Sequence, residues 1–306
     1  MSTQTLDPNL SFTDYYSLAW KFFATNFKDI AILALIFLLP GLILGLIAAS
    51  GVIFGASNAL FSQDILGSIT TFLIPTILIG VVFQFVISIW MVLTFTNYVT
   101  EVYQGAQMTW KQALAEGWKM FKRGWSTYLI LAAIFLAVFI IAGIIAGFIM
   151  GATGMFDQVS SVSADATFDI LSLLPYMLNM AVIVFFAAIP LIILGIYWMF
   201  VSNAIVVFDK RNMEALNFSK SLVKGRWLRM FGYAVAWACV SIFVSLLMGL
   251  VIGILGKIIP EEITSLINSY YTLVLQAFGM VYFTIVFLHI APKTGKNKVI
   301  GEATAE

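Results

Sequence analysis

Three stretches, residues 30–63, 65–100 and 126–156, contain no Asp, Glu, Lys or Arg. About 20 predominantly apolar residues suffice to cross a hydrocarbon layer roughly 30 Å thick. Inside lipid, each backbone polar group must be paired within the chain, which leaves helices or closed barrels as spanning structures. Runs of this length, without period-2 alternation, select helices. Composition agrees: 61% of the 306 residues are hydrophobic and 10% are charged, where a soluble domain carries about 25% charged residues. The chain reads as an all-α, polytopic membrane protein. Met1–Leu10 is polar and lacks Lys and Arg ahead of an apolar core, so no cleavable signal peptide is expected.

The runs are preceded by a recurring unit. Residues 109–125, TWKQALAEGWKMFKRGW, read as a basic amphipathic helix feeding the span that follows. Related segments occupy residues 11–27 and 212–227. Ser11 with Asp14, and Thr109 with Gln112, match helix-capping patterns. Apolar stripes at helical spacing run through Phe12, Tyr15/Tyr16, Ala19, Phe22/Phe23 and Phe27, and again through Trp110, Ala113/Leu114, Gly117, Phe121 and Trp125. A third runs through Met213, Leu216 and Val223. Phe27, Trp125 and Trp227 then stand at equivalent places at the heads of spans one, three and five. Gly147 and Gly151 fall 22 and 26 residues beyond Trp125, as Gly249 and Gly253 do beyond Trp227. Gly45 and Gly143 share an offset of 18 from Phe27 and Trp125, and Trp90-Met91 and Trp198-Met199 mark matching depths. A period of about 100 residues follows.

The expected architecture is therefore a single membrane domain, 1–306, built of three repeats, 11–100, 109–207 and 212–290, with short polar tails. Each repeat is a basic interfacial helix followed by a helical hairpin, giving six transmembrane helices near 30–54, 69–99, 128–150, 173–207, 231–255 and 267–290. The second run is longer than a bilayer requires. Tilt, a kink near Pro75, or protrusion of the helix into the cytosol would each accommodate it. Under this arrangement fifteen of the sixteen basic residues lie on one side, Lys257 being the exception. The other side holds Asp64, Asp157, Asp165, Asp169, Glu261 and Glu262. Inner loops are enriched in Lys and Arg, so both termini are expected in the cytoplasm.

Candidate sites follow from the same pattern. Lys119, Lys122, Arg123, Lys220, Lys224, Arg226 and Arg229 are candidates for anionic-lipid or partner contact, each surface cation adding roughly 1 kcal/mol at an anionic membrane. As topology determinants and anchors they would need no ligand at all. Gly41, Gly45, Gly143, Gly147, Gly151, Gly249 and Gly253 form small-xxx-small pairs expected to pack helices within the chain, a homo-oligomer face being the sharper reading. Gln84, Asn97, Asn179, Asn203 and Gln276 are intramembrane polar residues: interhelical hydrogen bonds by the plain reading, a solute path if they converge.

Catalytic and metal chemistry find little support. His289 is the only histidine and Cys239 the only cysteine, which cannot build a familiar metal site or a nucleophile–His–acid triad. Cys239 itself is expected to be a small buried hydrophobe, and Asp157, Asp165 and Asp169 a solvated loop rather than cation ligands. No ionisable side chain falls at mid-membrane depth, which weighs against proton-coupled pumps. No cofactor, catalytic residue or metal site is expected, and no nucleic acid partner.

Three passages carry a family resemblance: TWKQALAEGWKMFKRGWSTYLILAAIFLA, IPLIILGIYWMFVSNAIVVFDKRNMEALNFSKSLVKGRW and AWKFFATNFKDIAILALIFLLP. They resemble the glycerophosphoryl diester phosphodiesterase membrane-domain-like proteins, polytopic proteins with a basic aromatic helix before each hairpin. The resemblance implies the membrane module without the catalytic domain, whose His and metal-binding carboxylates have no counterpart here. It also implies a prokaryotic plasma membrane. The expectation is a non-enzymatic protein that organises membrane, contacts lipid or supports a partner. The alternative is a transporter or channel for a small neutral or lipid-like solute, and an intramembrane lipid enzyme is the third reading.

Overall fold

The structure, a computed structural model, describes residues 10–43, 65–152 and 188–291. These form α1 (Phe12–Thr25), α2 (Phe27–Ile43), α3 (Ile65–Tyr103), α4 (Trp110–Ala152), α5 (Ala188–Phe208), α6 (Asn212–Val223), α7 (Trp227–Leu255) and α8 (Glu261–Ile290). The described residues are helical with no strand among them. Five helices are long and apolar enough to cross a membrane, and a sixth if α1 and α2, bent by 82°, count as one. Gly45, Asn179, Pro175, the loop acids Asp157, Asp165 and Asp169 and the tail lysines lie outside the described residues.

Both capping patterns form. Ser11 caps α1, its hydroxyl accepting from Asp14 N while Asp14 accepts from Ser11 N at 2.9 Å. At α4, Gln112 Oε1 accepts from Thr109 N at 2.9 Å. Two such bonds satisfy backbone donors that a helix start leaves orphaned.

The packed core lies in one storey of the molecule. On α3, every residue from 93 to 100 is buried, so this stretch is a pillar covered on all sides. Residues 203–207 of α5 and 284–289 of α8 are likewise buried throughout. Around these three the first half of α4, then α6, α1 and α2, complete the wall. Tyr15, Tyr98, Tyr282, Phe95, Phe200 and Phe287 are fully buried, and aromatic edges knit α1 to α8 through Tyr16–Phe278 at 5.4 Å and Phe23–Phe278 at 5.2 Å. The α2 stripe Ile30, Leu33, Ala34 and Phe37 faces inward at helical spacing.

Beyond that storey the helices run on without cover. Leu136, Phe139, Ile144 and Phe148 on α4, and Ile242, Leu246 and Leu250 on α7, are exposed. Cys239, expected to be buried, is exposed as well. It lies beyond Tyr233 on a face of α7 that no other described helix covers.

The α3–α4 hairpin is antiparallel and tight. A Cβ at Gly117 would lie 2.0 Å from Thr94 Oγ1, and the Trp90 and Trp118 rings meet edge to face at 5.5 Å. A break in α5 is the other local surprise. The backbone turns at residues 198–200 before restarting as Val201–Phe208. Ser219 of α6 bridges the gap: its hydroxyl accepts from Phe200 N at 3.2 Å and donates to Tyr197 O at 2.8 Å. A side chain inserted into the helical ladder is a recognised cause of such interruptions.

Candidate functional site

The repeat predicts three equivalent interfacial helices from the basic segments. The structure makes them unequal, and one glycine explains the difference. In the third copy the order is Lys224-Gly225-Arg226-Trp227. Gly225 takes φ +85°, a conformation costly for residues with a Cβ. The α6 helix ends there and α7 starts at Trp227. In the second copy the order is Lys122-Arg123-Gly124-Trp125, so Arg123 stands where the turn would need glycine. The helix continues, and α4 is one rod of 43 residues with no separate surface helix. In the first copy Asn26 stops α1. Its backbone N–H and its side-chain amide both donate to Phe22 O, at 3.0 and 2.8 Å.

Gly124 serves packing instead of turning. A Cβ there would lie 3.1 Å from Ile205 and 3.4 Å from Leu93, so α4 closes on both α3 and α5 at this point. One turn on, Thr127 and Ser126 fasten the start of α6. Asn212 N donates to Thr127 Oγ1 at 2.8 Å, and Ser126 Oγ donates to Asn212 Oδ1 at 2.7 Å. The segment after the second unit thus holds the first residue of the third. Asp209, in the left-handed region at φ 50°, makes the preceding corner, with Arg123 at 4.0 Å and Arg211 at 3.4 Å.

The seven candidate cations end up in different states. Lys119 pairs with Glu116 at 2.6 Å on the surface. Lys122 lies over the Trp118 ring and Lys220 over Tyr197, each 6.0 Å from the centroid. Lys122, Arg123, Lys220, Lys224 and Arg226 are exposed. Arg229 is used internally: it donates to Leu10 O at 2.9 Å and to Tyr233 Oη at 2.8 Å, holding the entry to α1 against α7. Of the seven, Arg229 is the half-buried one. The α1 cap stands outside the spans, and its hydrogen bonds from the Ser11 side chain and backbone hold the Asp14 carboxyl below its usual value.

The glycine pairs make no close approach among the described residues. A Cβ at Gly41, Gly143, Gly147, Gly151, Gly249 or Gly253 would meet nothing within 4 Å. They lie on outer stretches that touch no other described helix closely. Close approach falls to Gly117, Gly124 and Gly279, the last with Trp237 at 3.0 Å. The polar residues divide too. Gln84 and Gln276 are exposed, whereas Asn97 and Asn203 are buried, and Asn203 donates to Thr284 Oγ1 at 3.3 Å. His289 is buried in the last turn of α8, its Nδ1 2.9 Å from Ile285 O and its ring edge-on to Tyr15. Among the described residues no group of three or more His, Cys, Asp or Glu is placed to hold a metal ion.

Residues 120–291, more than half of the chain, match the model of a family described as a domain of unknown function, DUF7847. The chain belongs to the DUF7847 family. The DUF7847 segment opens inside the basic half of α4 and closes just past α8, so it takes in the end of the second basic segment, from Met120, the whole of the third and the Thr127–Asn212 junction. No curated protein and no solved structure matches the chain.

Proposed function

We propose that this DUF7847 protein is a non-catalytic membrane protein whose basic storey contacts anionic lipid headgroups at the cytoplasmic leaflet, organising membrane or supporting a partner there. The observation that carries this is the placement of Lys122, Arg123, Lys220, Lys224 and Arg226. All five are exposed, Lys122 and Arg123 on α4, Lys220 on α6, and Lys224 and Arg226 in the turn between α6 and α7, and beyond the packed core the spanning stretches turn apolar faces outward. Exposed cations bordering an apolar band are suited to anionic headgroups. The arrangement proposed is six spans in three hairpins, with both termini cytoplasmic. A prokaryotic plasma membrane, and kinship with the glycerophosphoryl diester phosphodiesterase membrane-domain-like proteins, belong to the same proposal and draw support from the repeated basic aromatic unit.

Native mass spectrometry of the full chain extracted with its own lipids tests the contact. Retained anionic lipid is expected, and it should be lost when Lys122, Arg123, Lys224 and Arg226 are replaced by glutamine. Unchanged retention in that variant would leave these residues as topology signals alone.

A further inference from the structure

The buried core and the charged surface occupy the same level of the molecule. Gly124 packs on Leu93 and Ile205, so residues 93–100 of α3 and 201–207 of α5 stand level with the α4 segment that exposes Lys119, Lys122 and Arg123. Arg123 reaches Asp209 at the end of α5. Were this storey inside the hydrocarbon, each of those cations would face lipid at a cost of about 2.5–3.5 kcal/mol at the centre by insertion scales, and more by other estimates. Burying Leu, Ile and Phe there would also gain nothing from the hydrophobic effect, because lipid tails are as apolar as the core. In contact with water and headgroups the same burial is favourable.

Helix lengths agree. The 43 residues of α4 measure roughly 64 Å, about twice the hydrocarbon thickness. Its uncharged outer portion, 128–152, measures roughly 37 Å, enough to cross alone. On α3 the part before the pillar, 65–92, measures roughly 42 Å. Exposed aromatic side chains stand near this boundary, Trp118 and Trp125 on α4, Trp20 on α1 and Phe27 at the head of α2, with Leu129 and Leu228 exposed beside them. Trp and Tyr favour this depth, where an apolar ring meets polar headgroups.

We infer that the packed storey seats in the headgroup layer, with Trp20, Phe27, Trp118 and Trp125 as its lipid-facing rim, so that α3 and α4 cross the hydrocarbon only with their outer halves. This extends the lipid-contact reading but does not require anionic lipid. The structure is a base standing at the membrane surface with helices rising from it, rather than a bundle packed at mid-membrane.

Depth measurement decides it. On a Cys239→Ser background, nitroxide labels at Trp118→Cys, Lys122→Cys, Leu78→Cys, Phe139→Cys and Ile144→Cys report collision with oxygen and with a water-soluble nickel chelate in zwitterionic vesicles. Several-fold greater nickel accessibility is expected at 118 and 122 than at 139, with oxygen contact peaking near 78 and 139. A profile whose hydrocarbon centre falls between 118 and 125, with 139 and 144 open to nickel, overturns the inference. Should Trp118→Cys fail to fold, Lys122→Cys on the next turn reports the same level. Because the vesicles carry no anionic lipid, loss of headgroup retention in the mass-spectrometric test leaves this profile standing, and the reverse also holds.

Discussion

Replacing Gly117 by alanine puts a methyl carbon 2.0 Å from Thr94 Oγ1, 2.8 Å from Thr94 Cβ and 2.9 Å from Thr94 Cα. The last of these is backbone, so no rotamer change at Thr94 relieves the clash. Helices α3 and α4 must separate, along the pillar that α5 and α8 also pack against. Overpacking of this kind costs typically about 1–3 kcal/mol, and alanine's better helix propensity returns up to about 1 kcal/mol. A net loss of about 1–2 kcal/mol lowers the melting temperature by roughly 2–8 °C, taking about 2–4 °C per kcal/mol for soluble domains of 150–250 residues. Intrinsic tryptophan fluorescence on heating the full chain in detergent reads this directly. Gly143→Ala, where the new methyl meets nothing within 4 Å, should melt no lower than the parent. Adding Thr94→Ala to Gly117→Ala removes the hydroxyl clash but leaves the new methyl crowded against the Cβ and the backbone of residue 94, so recovery should be partial. Equal melting of Gly117→Ala and the parent, or a larger drop in Gly143→Ala, would refute the packing argument.

Ser219→Ala should destabilise the α5 break, since the buried Phe200 N–H loses its acceptor at a cost of about 1–3 kcal/mol; amide exchange at residue 200 should quicken while Ser219→Thr restores protection. The Asp14 cap gives a pH dependence with a definite sign. Its carboxyl titrates lower in the folded chain than in the unfolded one, so its contribution is complete above the unfolded value and fades as pH falls through the folded value. Amide exchange in the first turn of α1 should therefore rise on acidification, and Ser11→Ala should weaken that dependence. A flat exchange profile across the acid range would count against the cap.

Sequence periodicity alone exposes much of this fold because the forces involved are local. Ser11–Asp14 and Thr109–Gln112 are bonds across three residues, and the stripe Tyr15, Ala19, Phe22 and Phe23 needs only a 3.6-residue repeat to show its buried face. Partners distant in sequence are not legible in this way. Gly143 and Gly147 have the spacing of a packing motif, yet spacing cannot say whether a second helix arrives; Gly124 lacks that spacing and does receive one. The same holds for Arg229, whose charge suggests a surface role, although its guanidinium closes on Leu10 O across 219 positions. Ser219 carries no signal, because its partners are backbone atoms freed only when α5 turns.

The three basic segments suggest one device used three times, and the structure gives them different local folds. Moving a glycine by one place, from Gly225 to Gly124 when Trp227 is set against Trp125, removes the left-handed residue at which α6 ends and supplies a smooth face against Leu93 and Ile205. The second copy therefore stays straight. Because α4 is continuous, the level of its cations is fixed relative to its apolar half, about 1.5 Å per residue along a single axis. The first and third copies turn corners at Asn26 and Gly225, so α1 and α6 can lie across the storey that α4 threads. Thr127 and Ser126, one turn beyond Gly124, clamp Asn212 and set where the third copy begins. The straight helix is thus the ruler for the other two: it sets the depth of the base, and the bent copies close the wall around it.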